Sequence, residues 1–197
     1  YDSESGDDIM MGDPGIERNE GMLGFDWVSY ARDTSGIVAD MNVRVFAPPP
    51  LPGSPNAFLD RFDLVEGLSG TAFSDILIGD SGNAATMVAN ELTQHTLDLI
   101  TGLQELVGEG VSFFTGGNII IGGDGSDIIQ GQGGNDLIDG DASLDVFLSI
   151  RDPNDPSVEL FRAQNMGEIY DRIFSDASDP NHINPGDIQI GREITWA

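Results

Sequence analysis

The most regular feature of the chain is a nine-residue pattern of polar and apolar positions between residues 116 and 148. Every ninth residue is apolar: Ile120, Ile129, Ile138 and Phe147. Two residues before each stands an acid or its amide: Asn118, Asp127, Asp136 and Asp145. Two residues earlier again stands glycine, or serine in the last copy: Gly116, Gly125, Gly134 and Ser143. Glycine permits the left-handed backbone of tight turns, and the apolar residue needs a core. The pattern therefore predicts six-residue turns alternating with three-residue strands, stacked as a parallel β-roll with 18 residues per coil.

Two outlying segments repeat this pattern, GDDIMMGDPG from Gly6 to Gly15 and SDILIGDSGN from Ser74 to Asn83. A single roll strand buries almost nothing, so we expect these pieces to join the central repeats in one roll. Residues 1–150 are then one split roll, with roll segments at about 3–15, 70–83 and 116–148. The predicted strands are about Ile9–Met11, Ile76–Ile78, Ile119–Ile121, Ile128–Gln130, Leu137–Asp139 and Val146–Leu148.

Two insertions and a C-terminal segment complete the predicted fold. The alternation after FDWVSYA, from Ile37 to Phe46, predicts a β-hairpin in the first insertion, about 16–69. A proline-rich surface loop over residues 48–53 and a short helix or turn at DRFDLVEGLSG follow it. The leucine spacing of the second insertion, about 84–115, predicts a helix or a pair kinked at Gly102 that covers the roll. Residues 151–197 are expected to form an α/β cap, with a helix near Met166–Phe174 and a strand at Ile188–Ile194. The predicted fold class is therefore mostly β.

Charge narrows the possible partners. The chain has 34 Asp and Glu against 8 Lys and Arg, a net charge of −26. Such a chain repels nucleic acid and anionic membrane surfaces, and it repels itself when compact. A hard divalent cation bound by oxygen ligands is the natural counter-charge. The absence of cysteine excludes disulfides and thiolate chemistry. No apolar run approaches the ~18 residues of a membrane span, so we expect no membrane insertion.

The turns supply the candidate metal ligands. Turns on one edge of a roll stack about 4.8 Å apart, close enough for carboxylate and carbonyl oxygens of neighbouring turns to share a calcium ion. About four ions are expected. The predicted ligands are Asp8, Asp13, Asp75, Asp80, Asn118, Gly122, Asp124, Asp127, Gly131, Gly133, Asp136, Asp141 and Asp145. We expect Asp127 to share calcium with Asp145 and Asp75. We expect Asn118, which lacks the charge and should weaken its sites, to pair with Asp136 and Asp8. Asp60, Asp63 and Glu66 are either a further calcium site or a solvated acidic face.

The repeats GGDGSDIIQ (Gly122–Gln130) and GQGGNDLID (Gly131–Asp139) resemble the haemolysin-type calcium-binding, or RTX, family. The wider arrangement, with NEGMLGFDWVSY and DRFDLVEGLSGTAFSDILIGD, is similar to the RTX regions of very large bacterial proteins that also contain an animal-type haem peroxidase domain. The resemblance implies type I secretion from a Gram-negative cell and calcium-triggered folding outside it. Any haem chemistry would then lie in another domain of the parent.

Other functions are weighed against this one. GDSGN (Gly79–Asn83) is similar to the nucleophile loop of chymotrypsin-like proteases, but it coincides with a roll turn, and neither His95 nor His182 has a partner by spacing. We therefore expect no catalytic residues. An adhesive or ligand-binding module, with the first insertion as its contact surface, and an accessory region of a secreted peroxidase remain as alternatives. Tyr1 at the start, without a signal sequence, leads us to expect a fragment of a longer protein. We also expect the protein to be monomeric.

Overall fold

A computed structural model of the protein describes residues 1–48, 51 and 53–196. The chain divides into two compact units, the first of residues 1–144 with the residues from Ile194 onward, the second of residues 145–193. The predicted proline-rich loop falls partly on residues 49, 50 and 52, which lie outside the described residues.

The first unit is built from strands of two or three residues. This length follows from the turn glycines and acids on either side of each apolar triplet. The strands are β1 (Ile9–Met11), β2 (Arg18–Glu20), β3 (Trp27–Ser29), β4 (Val38–Asp40), β5 (Arg61–Asp63), β6 (Gly67–Ser69), β7 (Ile76–Ile78), β8 (Leu92–Thr93), β9 (Phe113–Phe114), β10 (Ile119–Ile121), β11 (Ile128–Gln130) and β12 (Leu137–Asp139).

Parallel pairing stacks these strands into a roll, except for β8 and β9, which pair antiparallel with each other. One sheet has the order β1-β3-β6-β10-β12, a second the order β11-β7-β4, and β2 pairs with β5. The middle residue of each paired triplet is in register with the next, as Val28, Leu68 and Ile120 are. These side chains form the interior of the roll, together with Leu77 and Phe62, which are fully buried. The prediction of a mostly β fold with a parallel β-roll is confirmed.

The first insertion is part of the roll and not a β-hairpin. β3 pairs in parallel with β1 and β6, and β4 pairs in parallel with β7. The predicted helix or turn at DRFDLVEGLSG instead contains β5 and β6. The alternation of Ala39, Met41, Val43 and Val45 does bury these residues. The hairpin prediction was wrong because inward-facing alternation is the same in a hairpin and a roll. The long interval in sequence between β4 and β5 also hides the period of the coil.

The second insertion covers the outer surface of the five-stranded sheet. It contains α1 (Gln94–Leu99) and α2 (Leu103–Val107), separated at Gly102, whose φ is 82°. Leu97 and Leu103 are buried in one cluster with Trp27 and Ile119 of the sheet. The predicted pair of helices broken at Gly102 is therefore confirmed, and it gives the roll a second apolar layer.

The second unit has a three-stranded sheet of order β14-β13-β15, in which β13 (Ala142–Asp152) pairs antiparallel with β14 (Asp155–Ala163). A 3₁₀ turn at Met166–Glu168, the helix α3 (Tyr170–Ile173) and β15 (Ile188–Trp196) match the elements predicted for the C-terminal segment. The predicted roll strand Val146–Leu148 is wrong, because these residues lie within β13. The fourth repeat has Ser143 where earlier copies have glycine, and Leu144 where they have Gly117, Ser126 or Asn135, so a turn is less favoured there. The capping role of this segment stays a prediction.

Candidate metal-binding turns

Five turn residues directly precede the strands of the five-stranded sheet, and we call them the long row. Backbone hydrogen bonds of 2.8–3.0 Å, from Trp27 to Asp8, Gly67 to Asp26, Ile119 to Glu66 and Leu137 to Asn118, fix their order. The long row is Asp8, Asp26, Glu66, Asn118 and Asp136. Parallel stacking thus places four acids and one amide on successive levels of one edge of the roll.

Side chains of the long row accept backbone N–H groups from the level before. Asp8 N–H donates to Asp26 Oδ1 at 3.2 Å, and Asp26 N–H donates to Glu66 Oε2 at 3.0 Å. Asn118 N–H donates to Asp136 Oδ1 at 2.9 Å. One oxygen of each of these carboxylates is therefore held in place by the fold, and the carboxylate is positioned before any ion binds.

The opposite edge of the roll has a short row of turn residues, which directly precede the strands of the sheet β11-β7-β4. The short row is Ile37, Asp75 and Asp127. Ile37 N–H donates to Asp75 Oδ1 at 2.7 Å, and Asp75 N–H donates to Asp127 Oδ1 at 2.8 Å. Ile76 and Ile128 complete the ladder with backbone bonds of 2.9 Å to Ile37 and Asp75. The short row therefore has acids on two of its three levels.

A glycine five residues before the acid brings two oxygens together. A Cβ built on Gly122 would lie 2.5 Å from Asp127 Oδ2 and 2.5 Å from the carbonyl oxygen of Gly140 in the next turn. A Cβ on Gly70 would likewise be 2.5 Å from Asp75 Oδ2 and in collision with the Gly122 carbonyl. Only glycine fits there, so its absence of a side chain lets a carboxylate and a carbonyl face each other.

Burial makes these carboxylates costly to ionise. It raises the pKa of Glu66 to about 8 and of Asp26 to about 7, although hydrogen bonds to the carboxylates act in the opposite direction. Burial also raises the pKa of Asp127 and of Asp136, and the neighbouring charges of Asp75 and Asp80 add to the effect. A bound divalent cation would reverse this penalty, because it stabilises the ionised form.

The structure makes neighbours of two predicted ligand pairs and separates two others. Asp127 lies beside Asp75, and Asn118 lies beside Asp136. The pairing of Asn118 with Asp8 is wrong, because Asp26 and Glu66 occupy the two levels between them. Asp145, the second expected partner of Asp127, lies in strand β13 and not in a roll turn.

Two predicted ligands already have partners within the protein. Both carboxylate oxygens of Asp75, which is 2% exposed, accept hydrogen bonds from Thr71, with the N–H at 2.7 Å. Asp80 accepts Gly82 N–H at 2.7 Å and forms an ion pair with Arg44 at 3.3 Å. Each of these acids is therefore less open to a metal than Asp127 or Asp136.

The remaining predicted ligands lie in exposed or glycine positions of the turns. Asp13, Asp124 and Asp141 are exposed, and Asp13 accepts the Tyr1 hydroxyl at 3.2 Å. Gly133 N–H donates to the Asp80 carbonyl at 3.2 Å, and a Cβ on Gly131 would collide with Asp136 Oδ2. That these residues bind the metal stays a prediction.

The three acids considered as a further calcium site, Asp60, Asp63 and Glu66, have different partners. Asp60 accepts the Tyr30 hydroxyl at 2.5 Å, Asp63 lies 3.7 Å from Arg44, and Glu66 belongs to the long row. They do not make one site together. Across the described ranges, no three or more His, Asp or Glu side chains surround a common point as a ready metal centre. The acidic levels of the rows instead offer a carboxylate together with backbone carbonyls.

Sequence reasoning missed Asp26 as a member of the long row. The available signal was its distance of 18 residues from Asp8, one full coil, with Met10 and Val28 in the matching core positions. The missed period lay inside the segment that had been assigned to a hairpin.

GDSGN (Gly79–Asn83) begins a roll turn, since Gly79 N–H donates to the Gln130 carbonyl at 2.8 Å. His95 is exposed on α1, and His182 Nδ1 lies 3.3 Å from Ser175 Oγ in the second unit. The likeness of GDSGN to a protease loop is therefore explained by the geometry of the roll.

A family model of the RTX calcium-binding nonapeptide repeat matches four copies, at residues 68–83 and 114–147. No curated protein matches the chain. No solved structure matches it either. In the described part of the chain, no helix is long and apolar enough to cross a membrane.

The fold and the matched repeats define a parallel β-roll of the calcium-binding class. The chain carries RTX calcium-binding nonapeptide repeats, which bind Ca²⁺, and four repeats fit about four ions. Such repeats form a structural calcium-binding module that is typical of secreted bacterial proteins. The residues present fit the ion, because Asp127 Oδ2 and the Gly140 carbonyl are hard oxygen donors facing one another across Gly122.

Proposed function

We propose that this chain is a calcium-triggered folding module of a larger secreted bacterial protein, exported unfolded by type I secretion and folded on reaching external calcium. The observation that carries the proposal is the pair of carboxylate rows along the two edges of the roll. Acids of the long row lie on successive levels, and Asp26 and Glu66 are almost completely buried. Their repulsion opposes folding until a cation binds.

Positive charge is scarce in this chain. The ion pairs of Arg44 reach Asp63 and Asp80, which lie outside the long row, and the chain has only 8 Lys and Arg for 34 acids. A bound cation is therefore the source of positive charge that suits the rows.

The size of the effect follows from linkage. A site with a Kd of about 0.1 mM contributes about 1.4 kcal/mol at about 1 mM calcium, so four sites supply on the order of 5 kcal/mol. That is comparable with the whole stability of a small domain. At sub-micromolar calcium the same contribution is close to zero, which favours an unfolded chain inside the cell.

Small-angle X-ray scattering tests the switch. The radius of gyration should approach about 48 Å, the value for an unfolded chain of this length, in excess chelator. It should fall towards about 16 Å in 1 mM calcium, and the same concentration of magnesium should leave the chain expanded. A compact chain in chelator would contradict the proposal. The larger parent, its secretion route and a peroxidase domain within it stay predictions.

A further inference from the structure

The turn from Gly21 to Asp26 has the form of a calcium-binding repeat but lies outside the four matched copies. GMLGFDWVS (Gly21–Ser29) has glycine at its first and fourth places, aspartate at its sixth and an apolar residue at its eighth. Gly24 has a φ of 119°, and Gly125, at the same place in a matched repeat, has a φ of 118°. The backbone of this turn therefore follows that of the matched repeats.

Asp26 is fully buried, at 0% exposure, and its two carboxylate oxygens differ. Oδ1 accepts Asp8 N–H at 3.2 Å and the Ser3 hydroxyl at 3.3 Å. Oδ2 is buried and has no hydrogen-bond partner. A buried carboxylate oxygen without a partner is strongly unfavourable, so this atom points to a missing ligand.

The unpartnered oxygen faces a backbone carbonyl across a glycine. A Cβ built on Gly21 would lie 2.7 Å from Asp26 Oδ2 and would collide with the carbonyl oxygen of Leu64 in the next coil. Gly122 separates Asp127 Oδ2 from the Gly140 carbonyl in the same way. Two acceptors that face each other without a donor require a cation or a proton between them.

The backbone of Leu64, whose carbonyl faces Asp26 Oδ2, has a strained conformation. Its φ is 50°, although it is a branched residue, and it lies two residues before Glu66 as Gly24 lies two before Asp26. Left-handed conformations of such residues are rare and concentrate at functional sites. The fold therefore keeps a left-handed residue at this place even without the usual glycine.

We propose that Asp26 Oδ2 and the Leu64 carbonyl bind a further divalent cation, with the carboxylate of Glu66 beside them. Glu66 is 5% exposed, and it is held by Asp26 N–H at 3.0 Å and by Asn90 Nδ2 at 2.9 Å. The identity of the cation as calcium rests on the proposed function. The position of the site, at a level of the roll below the matched repeats, does not.

Terbium luminescence gives a readout that is local to this site. Terbium binds oxygen sites of calcium type, and Trp27 is the residue directly after Asp26. The other tryptophan, Trp196, donates its indole N–H to Asp139 and is removed by Trp196→Phe. In that background, tryptophan excitation should produce terbium emission that calcium displaces.

Two variants locate the emission. Asp26→Asn should abolish it and lower the calcium stoichiometry in titration calorimetry by one, while the amide can donate to Leu64 and keep the fold in chelator. Asp127→Asn, on the opposite edge, should leave the emission unchanged. Glu66→Gln serves as a second variant if Asp26→Asn does not fold, and it should weaken terbium binding at least several-fold.

The outcomes separate this inference from the proposed function. Emission that survives Asp26→Asn, or no emission from a chain that still folds with calcium, would overturn the site and indicate a proton between Asp26 and Leu64. In both cases calcium-driven folding itself would stand. A chain that neither folds with calcium nor binds terbium would contradict both.

Discussion

Asp127→Asn separates the hydrogen-bonding role of this residue from its metal-binding role. Asparagine keeps Oδ1, which accepts Asp75 N–H at 2.8 Å, but it removes the charge and the Oδ2 atom that faces the Gly140 carbonyl. Burial raises the pKa of Asp127, so removing the charge should not destabilise the fold in chelator. In 1 mM calcium the variant should lose the contribution of one site, about 1.4 kcal/mol for a Kd of about 0.1 mM.

Thermal unfolding followed by circular dichroism measures this difference. For a chain of this size about 1 kcal/mol shifts Tm by roughly 2–4 °C, so the variant should melt about 3–6 °C below the wild type in 1 mM calcium. In chelator any folded fraction should melt at the wild-type temperature. Asp98→Asn, an exposed residue of α1, is the matched control and should change neither value. An equal fall in Tm with and without calcium would refute a metal-binding role for Asp127.

Three further changes test other parts of the account. In chelator, any folded fraction should lose stability as the pH rises from 5 to 8. The pKa values of Glu66 and Asp26 are raised to about 8 and about 7, so their stabilising protons are lost over that range. Denaturant titrations at both pH values measure this, and a stability that rises with pH would contradict it. Leu77→Ala removes a fully buried side chain of the roll interior and should lower the free energy of unfolding in calcium by about 2–5 kcal/mol. The midpoint of the calcium titration should rise as well, and an unchanged midpoint would argue against coupling of the core to the ion sites. Leu64→Gly should raise the free energy of unfolding in calcium by up to about 1 kcal/mol, because it relieves the backbone strain of a φ of 50° at a half-exposed residue. A lower Tm would show that the leucine side chain matters more than the strain.

Sequence reasoning succeeded at most of the intact repeats, and the turn of Asp26 is the exception. The strands at Ile119–Ile121, Ile128–Gln130 and Leu137–Asp139 have the predicted bounds, and so have the distant strands at Ile9–Met11 and Ile76–Ile78. Short apolar triplets between glycine-rich turns favour a roll, because each triplet alone buries little and stacked triplets share one core. The neighbouring pair Asn118 and Asp136 followed from the period of 18 residues.

It failed where one element of the pattern was missing. Ile37 takes the place of the acid in the short row, and Leu64 takes the place of glycine before Glu66, so neither level is visible as a repeat. Phe147 keeps the apolar period, yet it lies in a long antiparallel strand, because Ser143 takes the place of the turn glycine four residues before it. The order of levels in the long row depends on which coils stack on each other. Because loops of different length connect the coils, residue spacing alone does not predict that order.

Far-UV circular dichroism of the chain during a calcium titration from excess chelator tests the central claim most directly. A cooperative gain of β signal at sub-millimolar calcium, with no gain in the same concentration of magnesium, is the predicted result. A β signal already complete in chelator and unchanged by calcium would contradict it, and would mean that the apolar clusters of the roll and of its helical cover suffice to hold the fold.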